Sequence, residues 1–218
     1  MRPSKAHVPR RPLVVATGNP GKLHELRALL EDLPLELYGL AELGIAPPHE
    51  SGATFLENAL LKARHAAAAA LACGLNGVGP TDIAAIADDS GLEVDALGGA
   101  PGIFSARYAG AGADDGANNA KLMSALAGTH GEQRRARYRC SLVCGFAPSN
   151  APPLVAEGVW EGWILEEPRG CGGFGYDPYF WLPDLRRTAA ELDPAEKNRL
   201  SHRGIAMRAL RDQLAARL

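Results

Sequence analysis

The stretch Leu13-Val14-Val15-Ala16-Thr17-Gly18-Asn19-Pro20-Gly21-Lys22 decides the fold class of this sequence. Its first four residues form a short apolar run suited to a buried strand, and a turn rich in glycine, asparagine and proline follows. A strand, a glycine turn and a helix in this order are the opening of an α/β unit. The helix is predicted because leucines recur on one side of the chain after Lys22, at Leu23, Leu26, Leu29, Leu30 and Leu33.

The rest of the chain continues this alternation of strands and helices. A helix is predicted from Thr54, because Thr54-Phe55-Leu56-Glu57 fits the capping box in which both polar side chains satisfy helix-start amides. Strands are predicted at residues 83–87, 92–97, 138–146 and 154–165. Two more helices are predicted at residues 114–127 and 201–217. The pattern therefore predicts an α/β fold with a mixed sheet flanked by helices.

Length and composition limit the class of protein. A chain of 218 residues suits one large domain or two lobes that share a core. The hydrophobic share of 46% excludes a disordered, collagen-like or disulfide-scaffold protein. With 23 basic and 25 acidic residues the net charge is −2, so no basic field for a nucleic-acid polymer exists. Residues 1–12, rich in proline and basic residues, are predicted to be a disordered leader before a single domain at residues 13–218.

The cysteines and the apolar segments predict a reduced, cytoplasmic protein. No cysteine pair has CxxC spacing and no cysteine–histidine cluster has zinc spacing. We find no signal peptide, and no window approaches the roughly 20 apolar residues of a membrane span. The cysteines are Cys73, Cys140, Cys144 and Cys171, of which the middle two are interpreted as small buried hydrophobic residues.

The turn at residues 17–22 is the first candidate for substrate binding. Helix-start amides and the helix dipole favour an anion there, the glycines let the backbone approach closely, and Lys22 adds a positive charge. It is not a Walker A loop, which requires four residues between its glycines and a hydroxyl residue after the lysine; here Leu23 follows. An ordinary strand–helix turn is an equally good interpretation of these residues alone.

Carboxylates in apolar surroundings form the second candidate. Asp88 and Asp89 lie inside apolar sequence, where two adjacent carboxylates are costly unless they are paired or hold a metal. Neighbouring strand residues face opposite sides, so different roles are expected for the two aspartates. Glu50 would add another of the hard oxygen ligands that Mg²⁺ prefers. The alternatives are a solvated turn for the aspartates and an ordinary surface position for Glu50.

A glycine-rich segment at residues 172–178 is a candidate for binding a nucleotide base. Glycines on both sides of Phe174 could present its ring face to a base, with Asp177 at a base edge. A glycine-rich turn with core aromatics is the alternative interpretation.

The last candidate segment is residues 197–203. Ser201 is a suitable N-cap for the final helix. His202 and Arg203 then stand at a helix start, where the dipole disfavours cations. This local conflict suggests that they face a ligand.

Taken together, these segments resemble the inosine/xanthosine triphosphate pyrophosphatases, a family that hydrolyses non-standard purine nucleoside triphosphates. The resemblance extends from about residue 13 to residue 214. Each motif alone is weakly specific, whereas all of them in this order and at this spacing are highly specific. The motifs are residues 16–22, 50–55 with 57–59, 87–92, 99–102 with 105–108, 173–178 and 201–204.

The resemblance implies cleavage of ITP, dITP and XTP to the nucleoside monophosphate and pyrophosphate. Asn19 and Lys22 would be the main side chains at the triphosphate, and Lys62 is a further candidate there. Glu50 and Asp89 would bind Mg²⁺, with Mn²⁺ as the alternative ion, and Asp89 would accept the proton of the attacking water. The implied substrate-binding residues are Thr17, Gly18, Asn19, Pro20, Gly21, Lys22, Lys62, Ser90, Phe174, Gly175, Tyr176, Asp177, Lys197, His202 and Arg203.

Base recognition is implied for the second half of the chain. Phe174 would stack on the base, while Lys197, His202 and Arg203 would read its edge. Cationic donors suit the 6-keto oxygen of hypoxanthine and leave the 6-amino group of adenine unmatched. A buried polar mismatch of this kind discriminates by roughly 10⁴-fold or more.

The resemblance further implies a long mixed central sheet, two lobes with a substrate cleft between them, and a homodimer. Small purine nucleoside triphosphates are the expected ligands, with no nucleic-acid polymer and no membrane as partner. One alternative is a Maf-like pyrophosphatase on a similar scaffold, which would prefer methylated bases, UTP or CTP. The other is a non-catalytic nucleotide sensor, against which the joint presence of Asp89 and Glu50 argues.

Overall fold

The computed structural model describes residues 10–75, 83–148 and 151–216. The strands of these ranges are β1 (Arg11–Ala16), β2 (Leu35–Gly39), β3 (Ile83–Val94), β4 (Arg135–Ala147), β5 (Leu154–Ile164), β6 (Phe180–Leu182) and β7 (Arg187–Thr188). The α-helices are α1 (Pro20–Leu30), α2 (Phe55–Ala72), α3 (Asp115–Ala125), α4 (Pro194–Leu200) and α5 (His202–Ala215). Within the described residues, no helix is both long and apolar enough to cross a membrane.

The predicted α/β class with a mixed sheet is confirmed. The strands follow the order β2-β1-β3-β4-β5-β6-β7 in one hydrogen-bonded sheet. Strand β1 pairs in parallel with β2 and β3, whereas β6 is antiparallel to both β5 and β7. Both kinds of pairing therefore occur in the same sheet.

Strand β1 begins at Arg11, earlier than the predicted strand and inside the segment that the sequence predicts as a leader. Arg11 and Pro12 are the register partners of Leu35 and Glu36 in β2. This end of the strand is defined by backbone pairing. Arg11 and Pro12 lie outside the apolar run from which the sequence predicts the strand. The rest of the predicted leader, residues 1–9, lies outside the described residues.

The chain divides into two compact units. The first contains the described residues of Met1–Glu50, Leu60–Ala87 and Cys144–Pro153. The second contains those of Ser51–Ala59, Asp88–Val143 and Leu154–Leu218.

The first unit is built on the strand–turn–helix opening that the sequence predicts. The apolar run of β1 at residues 13–16 is at most 1% exposed, and Leu26 and Leu30 of α1 are buried as well. Small side chains let α2 pack closely against β4, since a Cβ at Gly145 would lie 3.3 Å from that of Ala63.

The predicted capping box at the start of α2 is confirmed in the second unit. The Glu57 amide donates to Thr54 Oγ1 at 3.1 Å, and the Thr54 amide donates to Glu57 Oε2 at 3.1 Å.

The second unit has an aromatic core, in which the rings of Tyr138 and Phe180 lie 4.6 Å apart. Helix α5 packs along β5. The contact is close at Gly158, because any Cβ there would overlap the backbone oxygen of His202. Glycine at this position therefore sets the distance between β5 and the helix start that carries Arg203.

Strand β3 runs without a break from Ile83 to Val94, whereas the sequence predicts a polar interruption at residues 88–91. Asp88 and Asp89 lie within it and are only 1% and 6% exposed. Extended backbone persists there because both carboxylates have hydrogen-bond partners inside the second unit.

Candidate active site

The predicted phosphate turn lies between β1 and α1 in the first unit, and Asn19 is the N-cap of the helix. Asn19 Oδ1 accepts from the Lys22 amide at 3.0 Å, and Thr17 Oγ1 accepts from the Asn19 amide at 3.1 Å. Pro20 occupies the first helical turn, where its missing amide hydrogen costs nothing. These two hydrogen bonds fix the turn at a helix start, where the dipole favours an anion.

Glu50 and Lys62 form an ion pair in the first unit, with Lys62 Nζ 3.2 Å from Glu50 Oε1. The lysine side chain is 10% exposed and the glutamate side chain 28% exposed. Helix α2 supplies the lysine, and the segment before that helix, which has no regular secondary structure, supplies the glutamate. Two residues that the resemblance assigns to the phosphates and to the metal are therefore direct neighbours.

Asp88 of β3 is bound by donors from three other residues of the second unit. Arg203 Nε lies 2.8 Å from Asp88 Oδ2, Ser90 Oγ lies 2.7 Å from Asp88 Oδ1, and Cys140 Sγ lies 3.1 Å from Oδ2. The side chains of Asp88 and Arg203 are 0% and 1% exposed. A buried charge pair of this kind requires such additional hydrogen bonds to offset its desolvation.

Asp89, the next residue, has a different partner. Asn58 Nδ2 donates to Asp89 Oδ2 at 3.3 Å, and Asn58 Oδ1 accepts from the Gly52 amide at 2.8 Å. Asn58 is fully buried in the first turns of α2. The expectation that the two aspartates have different roles is thus supported by their different surroundings.

The glycine-rich segment forms a tight turn whose centre is Asp177. Its Oδ2 accepts from the Phe174 amide at 2.9 Å and pairs with Lys197 Nζ at 2.5 Å. Tyr138 donates its hydroxyl to Asp177 Oδ1 at 3.3 Å. Asp177 is 3% exposed, and its carboxylate holds the turn and the lysine in place. The base-edge contact expected from the sequence stays a prediction.

Two of the predicted base-reading cations lie near the ring of Phe174. Lys197 Nζ is 4.7 Å and Arg203 Cζ 5.9 Å from the centre of its ring. Cations at this range are attracted to the face of an aromatic ring. The structure therefore brings Ser90, Phe174, Asp177, Lys197 and Arg203 together in the second unit.

Tyr176 points into the core of the second unit instead of away from it. It is 4% exposed, and its hydroxyl donates to the backbone oxygen of Ser105 at 2.8 Å. Burial, together with the charges of Tyr108 and Asp115, raises the pKa of Tyr176 well above its ordinary value. The predicted contact of Tyr176 with substrate would therefore involve its backbone, and this contact stays a prediction.

Both the amide and the carbonyl oxygen of Gly175 form hydrogen bonds with side chains of α3. Its amide donates to Asp115 Oδ2 at 2.6 Å, and its carbonyl oxygen accepts from Asn119 Nδ2 at 2.9 Å. Both partners belong to α3. The φ of Gly175 is +63°, a value that favours glycine.

The predicted N-cap at Ser201 is confirmed, since Ser201 Oγ accepts from the Gly204 amide at 3.2 Å. The His202 ring stacks on Tyr138 with centroids 4.7 Å apart, and it is 5% exposed. Asp88 neutralises Arg203 at the same helix start. The conflict with the helix dipole is therefore resolved inside the protein by a charge from a distant strand.

Sequence reasoning did not assign a role to Asn58, Tyr138 or Asp115. Asn58 contacts the predicted catalytic aspartate, Tyr138 supports His202 and Asp177, and Asp115 fixes Gly175. For Asn58 a signal existed, because it lies one helical turn from Lys62 on the same face of α2. For the other two, only the folded contacts show the connection.

Comparison with known proteins identifies the family. The sequence model of the Ham1 family matches residues 13–213, which is nearly the whole chain. This chain belongs to the Ham1 family. A relative from Xanthomonas campestris pv. campestris, named dITP/XTP pyrophosphatase, is 52% identical over 94% of this chain and 97% of its own length. Another protein of that name, from Thioalkalivibrio sulfidiphilus, is 50% identical over 94% of this chain and 99% of its own length.

Solved structures of the Ham1 family have the same fold. A HAM1 protein from Coxiella burnetii superimposes with a TM-score of 0.81 at 43% identity, covering 94% of this chain and 98% of the other. A nucleoside-triphosphatase, also named dITP/XTP pyrophosphatase, from Mycobacterium abscessus gives a TM-score of 0.67 at 42% identity, with coverages of 91% and 98%. The fold and family implied by the sequence motifs are therefore confirmed.

Proposed function

We propose that this Ham1-family chain is a nucleoside triphosphate pyrophosphatase that hydrolyses ITP, dITP and XTP to the monophosphate and pyrophosphate. Such an enzyme removes non-standard purine nucleotides from the nucleotide pool. One observation of the structure carries the proposal: Lys197 and Arg203 both face the ring of Phe174. The names of relatives that are at least 50% identical over nearly their whole length support it.

The arrangement around Phe174 suits a purine base with keto groups. The ring offers a stacking surface, and Lys197 and Arg203 are hydrogen-bond donors without an acceptor function. A 6-keto oxygen accepts from such donors, whereas a 6-amino group cannot, so adenine leaves a buried donor unmatched. Each cation is already paired with a buried aspartate, so both are held in place before substrate arrives. His202, which precedes Arg203 at the start of α5, is the third proposed base-reading residue.

The triphosphate is proposed to bind at residues 17–22 in the first unit. The positive end of the α1 dipole and the side chains of Asn19 and Lys22 are proposed to attract phosphate oxygens there. Lys62 is a further cation proposed for the phosphates, and Ser90 is proposed to contact the substrate through its hydroxyl.

Asp89 is the proposed general base. It removes a proton from water as the water oxygen attacks the α-phosphorus. The bond from that phosphorus to the bridging oxygen breaks, and pyrophosphate leaves with the bond electrons. The Asn58 amide donates to one carboxylate oxygen and thereby orients Asp89 for this transfer.

A divalent cation fits the carboxylates that the chain offers. Glu50 and Asp89 supply hard oxygen donors, the ligand type that Mg²⁺ prefers, and Mn²⁺ accepts the same donors. No group of three or more His, Cys, Asp or Glu residues in the described part of the chain could form an all-protein cage. The usual magnesium site in nucleotide enzymes uses one or two carboxylates together with substrate phosphates. When bound, the ion would neutralise phosphate charge.

The remaining proposals concern the context of the enzyme. Residues 13–218 are proposed to act as one two-lobed domain and to form a homodimer in the cytoplasm, without a nucleic-acid or membrane partner. The family resemblance supports the dimer. Light scattering of the purified protein tests it, and a monomer mass would contradict it.

The decisive experiment measures pyrophosphate release from ITP, XTP, GTP, ATP, UTP and CTP in the presence of Mg²⁺. ITP and XTP should release pyrophosphate together with the monophosphate, at rates far above those for ATP. Formation of IDP and orthophosphate, or no turnover, would refute the proposal. Preference for UTP or CTP would favour the Maf-like alternative, and binding of ITP without product would favour a sensor.

A further inference from the structure

The carboxylate of Asp88 is a buried charge to which the proposed chemistry assigns no role. Its side chain is 0% exposed in the middle of β3. Donors from Arg203, Ser90 and Cys140 lie 2.7–3.1 Å from its oxygens. Burial of a carboxylate is unfavourable, and an apolar replacement of such an ion pair is often as stable. Stability alone therefore does not account for this residue.

Arg203 belongs to the proposed base site and Ser90 is a proposed substrate contact, and the two side chains also contact each other. Arg203 Nη2 donates to Ser90 Oγ at 3.0 Å, while Ser90 Oγ donates to Asp88 Oδ1. The guanidinium is planar, so attachment of Nε to Asp88 and of Nη2 to Ser90 defines its orientation. In that orientation Arg203 Cζ lies 5.9 Å from the centre of the Phe174 ring.

We propose that Asp88 is a positioning residue for base recognition, which acts directly and through Ser90 to fix Arg203 near the ring of Phe174. This inference rests on the proposed function, because it assumes that Phe174 stacks on the substrate base. Asp88 and Asp89 then divide two tasks between adjacent positions of one strand. Asp89 serves the chemical step, and Asp88 serves substrate selection.

The two tasks predict opposite kinetic effects for the same chemical change. Asp88→Asn should raise KM for ITP about 10- to 100-fold, the range expected from loss of a charge-assisted hydrogen bond, with kcat within roughly threefold of wild type. Asp89→Asn should instead lower kcat with little change in KM. A loss of kcat at constant KM in Asp88→Asn would overturn the proposal.

Selectivity supplies a readout that a purely structural ion pair would not move. The ratio of kcat/KM for ITP to that for ATP should fall about tenfold or more in Asp88→Asn, because Arg203 is no longer held as a donor for the keto group. Glu157→Gln is a control for the change from carboxylate to amide at an exposed position, since Glu157 of β5 accepts from Ser141 Oγ at 2.8 Å. An unchanged ratio in Asp88→Asn would contradict the proposed role.

A double-mutant cycle tests whether Asp88 acts through Arg203. Arg203→Lys keeps the charge but loses the planar fork, and it should raise KM in the same way as Asp88→Asn. The double variant should be no worse than the more severe single variant by more than about twofold. Independent, multiplicative effects would exclude the proposed linkage. Arg203→Lys also keeps the proposal testable if Asp88→Asn fails to fold.

A spectroscopic measurement separates this inference from the proposed function. The Arg203 Nε–H resonance, assigned by its loss in Arg203→Lys, should exchange slowly with water in the wild-type protein and become exchange-broadened in Asp88→Asn. Persistence of the protected resonance in Asp88→Asn would overturn the inference whatever the nucleotide turnover. If the wild-type protein released no pyrophosphate, the proposed function would be refuted. The protection of the Arg203 Nε–H would still decide whether Asp88 fixes Arg203.

Discussion

Asn58 Nδ2 lies 3.3 Å from Asp89 Oδ2, and the two residues are 0% and 6% exposed. The same side chain accepts from the Gly52 amide at 2.8 Å, so it connects the segment before α2 with the middle of β3. A Cβ at residue 52 would come within 2.7 Å of Asn58 Oδ1, which explains why glycine stands there. The orientation of the proposed general base thus depends on a helix start 31 positions away.

Replacement of Asn58 by leucine tests this connection. Asn58→Leu keeps the approximate volume but leaves the Gly52 amide and the Asp89 carboxylate without this partner. We expect kcat for ITP to fall about tenfold or more, because a general base must lie within hydrogen-bond reach of its proton. The free energy of unfolding should fall by about 1–3 kcal/mol. Steady-state kinetics and urea denaturation measure the two effects.

Asn118→Leu is the matched control for Asn58→Leu. Asn118 of α3 is 3% exposed, accepts from the Ala109 amide at 2.8 Å and donates to the Ala106 carbonyl oxygen at 3.3 Å. Its loss should cost a similar free energy of unfolding and leave kcat near the wild-type value. Equal losses of kcat in both variants would show that Asn58 acts only through stability.

Asp89→Asn should abolish most turnover while the fold persists. An amide cannot accept the water proton, and positioned general bases contribute about 10²–10⁴-fold to rates. Circular dichroism and pyrophosphate release measure fold and activity. Asp114→Asn is the control, because Asp114 is the N-cap of α3 and asparagine caps equally well. Near-wild-type kcat in Asp89→Asn would exclude this residue as the base.

Gly91→Ala should damage the second unit at the residue that follows Ser90. A Cβ at position 91 would overlap the Gly102 carbonyl oxygen and Ser105 Oγ, so β3 would have to move away from that loop. We expect a lower melting temperature and a higher KM for ITP. Gly116→Ala on α3 is the control, because its Cβ would meet only Asp114 Oδ1 at 3.4 Å and alanine favours a helix. Equal melting temperatures for the two variants would disprove the steric explanation.

Tyr176 predicts a specific dependence of stability on pH. Burial raises the pKa of Tyr176, so the folded state keeps the proton after the unfolded state has lost it at its ordinary pKa of about 10. The associated stability is complete below about pH 10 and is lost as the pH rises further. The free energy of unfolding should therefore fall more steeply above pH 10 in the wild-type protein than in Tyr176→Phe. Parallel curves in alkaline urea titrations would contradict this.

Local signals in the sequence predicted the elements that local chemistry determines. The start of α2 follows from Thr54 and Glu57. Ser201 likewise identified the start of α5. In each case side chains within a few positions satisfy the helix-start amides, so no distant residue is needed.

Contacts between distant positions could not be predicted in this way. Asp88 and Arg203 are 115 positions apart in the sequence, and the residues around each of them do not indicate that the two form an ion pair. Without that partner, Asp88 indicates a polar break in β3, and Arg203 indicates a helix start in conflict with its dipole. Both interpretations change once the buried ion pair is known. The family motifs identified these residues as important, but only the folded contacts show which aspartate serves which partner.

The unbroken β3 also constrains how this gene can change. Successive residues of a strand face opposite sides, and Asp88 and Asp89 have separate partners. An insertion or deletion of one residue between Ile83 and Asp88 would turn each carboxylate to the opposite face of the sheet while keeping both in the chain. Selection would act separately on each substitution in this strand. A change in the length of the strand would instead disable both Asp89, the proposed base, and Asp88 in a single mutation.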